Sequence, residues 1–134
     1  MRVLALDHGT VRIGCAISDP SGTLATPLPT IEPPEARTVA ELAAEHGVER
    51  IVVGLPIHLS GEEGSQAALA RTFCSELEAI LDIPIETYDE RLTTRMADAS
   101  KRAGASAARD SLAAAHLLEA YLASRAPELE GEDG

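Results

Sequence analysis

Apolar residues along the chain come first in short unbroken runs and only later at helical spacing. Residues 1–6 are apolar apart from Arg2, and residues 13–17 form a second such run. Runs of this kind read as strands buried on both faces, with their polar groups left at their ends. Gly9 and Gly14 bracket the connection between them, as in a β-hairpin with loose turn geometry. Residues 22–31 place Thr, Leu and Ala between prolines and predict a third strand, which Pro27 and Pro29 confine toward an edge because proline cannot donate to a ladder.

The period then changes. Val39, Leu42, Ala43 and His46 mark a helix that starts after Pro33-Pro34 and stops at Gly47. Ile51-Val52-Val53-Gly54-Leu55 is a short buried strand. Leu69, Phe73, Leu77, Ile80 and Leu81 recur at helical spacing over residues 65–81, and residues 83–88 form a further strand. Two more helices are predicted near residues 94–103 and 107–124. The order is that of an α/β protein with a mixed five-stranded sheet: the first three strands antiparallel, the later ones parallel and joined by right-handed helical crossovers. No internal repeat or linker interrupts it.

Three acids sit where this architecture offers ligand positions. Asp7 ends the first strand just before a glycine turn, where the backbone can approach a ligand closely; an aspartate that bonds only its own turn fits the same pattern. Glu90, in Asp89-Glu90-Arg91-Leu92-Thr93-Thr94, follows the last strand, and the carboxyl ends of parallel strands open onto one rim, the usual ligand crevice. A rim ion pair of Glu90 with Arg91 or Arg95 is the plainer reading, and Thr93 or Thr94 suits a helix cap. Asp110 lies in line with Ala113, Ala114, Leu117 and Tyr121, the face that must pack on the sheet, where a charge needs a partner; the helix dipole and Arg109 offer it a simpler one. Three carboxylates from distant segments suit two divalent cations roughly 4 Å apart, which clamp the attacking and leaving oxygens of a phosphodiester. An all-oxygen set favours Mg²⁺ or Mn²⁺ over zinc, since His8, His46, His58 and His116 lack ligand spacing.

Composition changes this picture in one respect. The 134 residues, 45% hydrophobic, make one domain, and their formal net charge of −11 opposes general nucleic-acid binding. The excess is partly local: residues 126–134 carry four acids and no base, read as a disordered tail after a folded unit of residues 1–125. Residues 91–109 reverse the sign, with Arg91, Arg95, Lys101, Arg102 and Arg109 against Asp98 alone. Cys15 and Cys74 read as reduced core residues. No apolar run approaches the ~20 residues of a membrane span and no signal-peptide pattern opens the chain, so a soluble intracellular protein without membrane contact is expected.

These residues carry a resemblance. Asp7-x-Gly-x-x-Arg12-x-Gly14, Val53-Gly54-Leu55-Pro56, Asp89-Glu90-Arg91-Leu92-Thr93-Thr94 and Asp110-x-x-Ala113-Ala114 through Tyr121-Leu122 resemble the YqgF (RuvX) family, in order over residues 1–123. The resemblance implies an RNase H-like fold, a bacterial cytoplasmic protein, and a metal-dependent endonuclease with two Mg²⁺ or Mn²⁺ ions that trims the 5′ end of pre-16S ribosomal RNA in ribosome biogenesis, with ribosomal precursor particles among its partners. It further implies Asp7, Glu90 and Asp110 as metal-binding and catalytic acids, with Arg12, Arg91 and Thr94 as phosphate contacts; Arg95 and Arg109 join them from the basic segment. The stretch Ala105-Ser106-Ala107-Ala108-Arg109 is shorter and less basic than the family pattern. The runner-up activity is Holliday junction resolution on branched DNA, which a homodimer would suit, although no exposed apolar stripe distinguishes monomer from dimer. Two other classes compete: an actin-like ATPase, from Asp7-His8-Gly9-Thr10, which needs a second domain that 134 residues do not hold, and a non-catalytic nucleic-acid or ribosome-assembly module.

Overall fold

The first apolar run forms β1 (Val3–His8), paired antiparallel with β2 (Ile13–Ser18) so that Leu4 faces Ile17 and Asp7 faces Gly14. The computed structural model describes the backbone of residues 1–93 and 107–132 and the side chains of residues 1–92 and 110–125. β3 (Ala25–Ile31) pairs antiparallel with β2, while β4 (Arg50–Leu55) and β5 (Ile85–Asp89) run parallel to β1, in the order β3-β2-β1-β4-β5. The mixed five-stranded α/β sheet expected from the sequence is therefore present, and Pro27 and Pro29 lie on an edge strand, where a missing N–H is tolerated.

The helices are α1 (Ala36–His46), α2 (Ser65–Ile80) and α3 (Ala107–Glu132). Gly47, left-handed at φ 63°, ends α1 as its position predicts, and its N–H returns to the Ala43 and Ala44 carbonyls. β5 begins two residues later than predicted because Pro84 has no N–H to give a ladder, though its carbonyl accepts from Ile51 at 3.0 Å. The helix predicted near residues 94–103 lies outside the described residues, and the helical backbone of α3 runs on to Glu132.

The period of two in the strands sorts side chains onto two faces. Leu4, Leu6, Ile13, Cys15, Ile51 and Val53 pack with Val39 and Ala43 of α1 and Phe73 and Leu77 of α2. Val3, Ala5, Ala16 and Val52 face the opposite way, onto Ala114, Leu117, Leu118 and Tyr121 of α3. The second face is built of smaller residues, so α3 lies close to the sheet. Tyr121 ties the middle of α3 to β4 and β5: its hydroxyl donates to Glu86 and accepts from Arg50 Nη1 at 3.1 Å, and burial pushes its pKa up to about 12. No helix among the described residues is long and apolar enough to cross a membrane.

The β2–β3 turn is organised by Asp19, which accepts from the Ser21 hydroxyl and from the N–H groups of Thr23 and Leu24 at 2.7 and 2.9 Å. These bonds, that from Ser21 first, lower its pKa from 3.8 to about 2. A carboxylate with a depressed folded-state pKa contributes stability that is present above its unfolded value and lost as pH falls through the folded one. Denaturant midpoints of wild type and Asp19→Asn are expected to differ most above about pH 4 and to converge toward pH 2, the window set by those two values. A constant difference across that range would show that Asp19 does not act through its charge.

Candidate active site

The parity that buries Val3 and Ala5 against α3 also turns Asp7 toward that helix, at the carboxyl end of β1. Its neighbours on both sides are glycines. Gly14 is its partner on β2, and since Leu6 pairs with Val53 on β4, Gly54 comes next beside Asp7. The row is hollow for a reason. A Cβ on Gly14 would lie 2.2 Å from the Asp110 carbonyl oxygen, and one on Gly54 would lie 2.6 Å from Glu90 Oε1 and 3.1 Å from Leu117 Cδ2. The first turn of α3 and the Glu90 side chain thus occupy the space that the two glycines leave.

Asp110, in that first turn, reaches the same cleft as Asp7. Both carboxylates line it with Gly9, Thr10, Val11 and Arg12, around a volume of about 160 Å³. The cleft lies in the crevice beyond strand carboxyl ends where ligands of open α/β sheets collect. The β1–β2 turn is held by the Gly9 N–H donating to the Arg12 carbonyl at 3.0 Å. Arg12 Nη1 donates to Asp110 Oδ2 at 3.2 Å, and its Nε lies 3.5 Å from Glu32. The hydrogen bond to Asp110 is the main cause that raises the guanidinium pKa further. Arg12 thus pairs with a carboxylate 98 residues away in the chain.

Glu90 opens a short 3-10 turn (Glu90–Thr93) and lies over Gly54, one strand from the cleft lining. Among the described residues no three His, Cys, Asp or Glu side chains gather closely enough to hold a metal. Of the three carboxylates expected to converge, Asp7 and Asp110 line the cleft and Glu90 lies over Gly54 beside it. Arg91, one of the two partners weighed for Glu90, grips Asp89 through Nη2 at 2.6 Å and Nε at 2.9 Å, and this holds the Asp89 carboxyl below its ordinary range. Arg91 Nη1 also donates to the His58 carbonyl at 3.4 Å, bracing the β4–α2 loop. In that loop Gly61-Glu62-Glu63-Gly64 is a surface turn, with Gly61 at φ 92° and Glu63 paired to Arg71 at 2.6 Å. Thr94 and Arg95 lie outside the described residues, as does the side chain of Arg109.

The donor set in the cleft is all oxygen. His8 turns to the other face, where its ring stacks 4.7 Å from that of Phe73 and burial lowers its pKa. Cys15 is buried among apolar residues, and desolvation pushes its thiol up to about 12. Neither can serve as a soft ligand there, and hard carboxylates fit Mg²⁺ or Mn²⁺. Sequence reasoning missed the space-making role of Gly14 and Gly54, although a glycine inside an apolar strand is a known sign of close approach.

A family model described as "RuvX: Holliday junction resolvase" matches residues 1–124. The chain belongs to the RuvX family. Among RuvX relatives, a protein of Chloroflexus aggregans named "Putative pre-16S rRNA nuclease" is 44% identical over 133 residues, covering 92% of this chain and 94% of that protein. One of Anaeromyxobacter with the same name is 41% identical, covering 95% and 100%. In fold, the chain matches Thermus thermophilus RuvC in complex with a Holliday junction substrate, at a TM-score of 0.63 and 16% identity over 95% of this chain and 96% of that one. A second T. thermophilus RuvC structure gives 0.56 at 17% identity, over 95% and 97%. At such identities the likeness is one of fold, and the RuvX sheet is of the RuvC, RNase H-like kind.

Proposed function

We propose that this RuvX protein is a metal-dependent endonuclease that trims the 5′ end of pre-16S ribosomal RNA, using Asp7, Glu90 and Asp110 to hold two Mg²⁺ or Mn²⁺ ions. The observation that carries the reading is the meeting of Asp7 and Asp110, from opposite ends of the chain, in one cleft at the strand-end rim. When bound, such ions activate water and neutralise the charge that builds on the leaving oxygen. Everything else falls to the chain. Asp7 and Asp110 present hard oxygens from two elements packed against each other, and Glu90, beside Gly54, would supply the third acid. Arg12 stands at the rim with a positive charge for a substrate phosphate, and its pairing with Asp110 and Glu32 keeps that charge placed before substrate arrives. Branched DNA is the second reading, favoured by the family description and by the junction-bound structure that shares the fold.

The deciding assay incubates the purified protein with pre-16S RNA and with a four-way DNA junction, each with Mn²⁺ or chelator. Metal-dependent cleavage of the RNA supports the first reading, cleavage of the junction the second, and cleavage of neither by folded protein leaves a binding module. Arg12→Ala is expected to weaken binding of whichever substrate is recognised and to lower the slope of log Kd against log salt by about one unit, the mark of one lost phosphate contact. An unchanged slope would remove Arg12 from the substrate interface.

A further inference from the structure

One buried polar group beside the cleft has no part in the chemistry proposed above. Ser111 follows Asp110 and is 4% exposed. Its hydroxyl donates to the Leu28 carbonyl at 2.6 Å and accepts from the Cys15 N–H at 3.4 Å. Cys15 and Leu28 face each other on β2 and β3, at the point where the pairing shifts register between Ile13 and Cys15. There β3 sets Pro29 and Thr30 against the single Gly14, and proline brings no N–H of its own. The hydroxyl therefore stands in an opening of the ladder and bonds both strands at once. Gly14, in that same opening, takes the Asp110 carbonyl against the face where its Cβ would be. One polar and one steric contact to β2 thus bear on the start of α3.

We propose that Ser111 is a positioning residue, whose bridge across the opened β2–β3 ladder sets the height and rotation of the first turn of α3 so that Asp110 meets Asp7 at metal-holding spacing. The proposal rests on the reading of those two acids as metal ligands. Apolar packing through Ala114, Leu117 and Leu118 holds α3 to the sheet but is non-directional. A hydrogen bond limits both distance and angle, and metal ligation tolerates only about ±0.2 Å. The hydroxyl carries no charge, so its influence on the cleft is geometric.

The test uses full-length protein and four substitutions: Ser111→Ala; Ser111→Thr and Ser111→Val, which share a shape and differ in the hydroxyl; and Leu122→Ala, a core truncation farther along the same helix. Mn²⁺ affinity by calorimetry without substrate, melting temperature, kcat and KM are read for each. Ser111→Ala and Ser111→Val are expected to bind Mn²⁺ about 10-fold more weakly and to lose kcat in similar measure at unchanged KM, as when a residue orienting a metal ligand is removed. Ser111→Thr should retain most of both, and Leu122→Ala should lose melting temperature alone. Wild-type Mn²⁺ affinity in Ser111→Val, or an equal loss in Leu122→Ala, overturns the proposal. If wild type binds no Mn²⁺ and cleaves nothing, the metal-site reading fails. The latch is then decided by amide exchange, which must quicken at Cys15 and in the first turn of α3 in Ser111→Val but not in Ser111→Thr; equal protection in both overturns it.

Discussion

Asp7→Asn is expected to abolish cleavage while leaving the fold in place. The substitution keeps the size and shape of a half-buried side chain at a strand end, so the melting temperature should move by no more than about 2 °C. What changes is charge and ligand strength: a neutral amide is a poor partner for a hard divalent cation. The cations contribute several kcal/mol to the stabilisation of phosphodiester cleavage, and at about 1.4 kcal/mol per tenfold the expected fall in kcat is at least about 100-fold. Mn²⁺ affinity measured without substrate should fall as well. Asp110→Asn should behave alike, and the double variant should be scarcely worse than either single one, because ligands of one site act as a unit. Wild-type cleavage by Asp7→Asn would move the chemistry out of this cleft. A large loss of melting temperature would make the aspartate a structural residue instead.

The parts of this arrangement that were legible in the sequence are those fixed by local chemistry. The apolar runs gave β1, β2 and β4, Pro27 and Pro29 placed β3 at an edge, and Gly47 ended α1, since each depends on neighbours within a few residues. Asp7 and Asp110 stood out because one ends an apolar run and the other interrupts an apolar stripe. What stayed hidden is set by contacts between distant segments. The pairing of Arg12 with Asp110 spans 98 residues, and no local pattern distinguishes it from a pairing with Asp7. Ser111 looks like an ordinary early helix residue until the opened β2–β3 ladder is in view. The grip of Arg91 on Asp89 is equally hidden, because the sequence places two acids side by side before it and spacing does not choose between them.

Gly14→Ala should be strongly destabilising, and its comparison with Gly54→Ala separates stability from chemistry. At Gly14 the new Cβ would lie 2.2 Å from the Asp110 carbonyl oxygen and 2.5 Å from its carbon, with the Ser111 nitrogen at 3.1 Å. All three are backbone atoms of a helix start, so relief requires α3 to move off the sheet or β2 to bend. Overpacking of this kind costs about 1–3 kcal/mol, a drop of roughly 3–12 °C in melting temperature for a domain of this size. The displacement also separates Asp110 from Asp7, so cleavage should fall with stability. At Gly54 the nearest atom is Glu90 Oε1 at 2.6 Å, the tip of a side chain rather than backbone, and Glu90 Cγ and Leu117 Cδ2 follow at 3.1 Å. Rotation of Glu90 relieves most of that clash, so Gly54→Ala should keep nearly all of its melting temperature yet lose activity by moving the third acid. Thermal melts and single-turnover cleavage of both variants check this. If Gly54→Ala cleaves normally with Glu90 displaced, Glu90 is not a ligand and the site rests on Asp7 and Asp110; if Gly14→Ala melts like wild type, α3 does not seat on β2 as described.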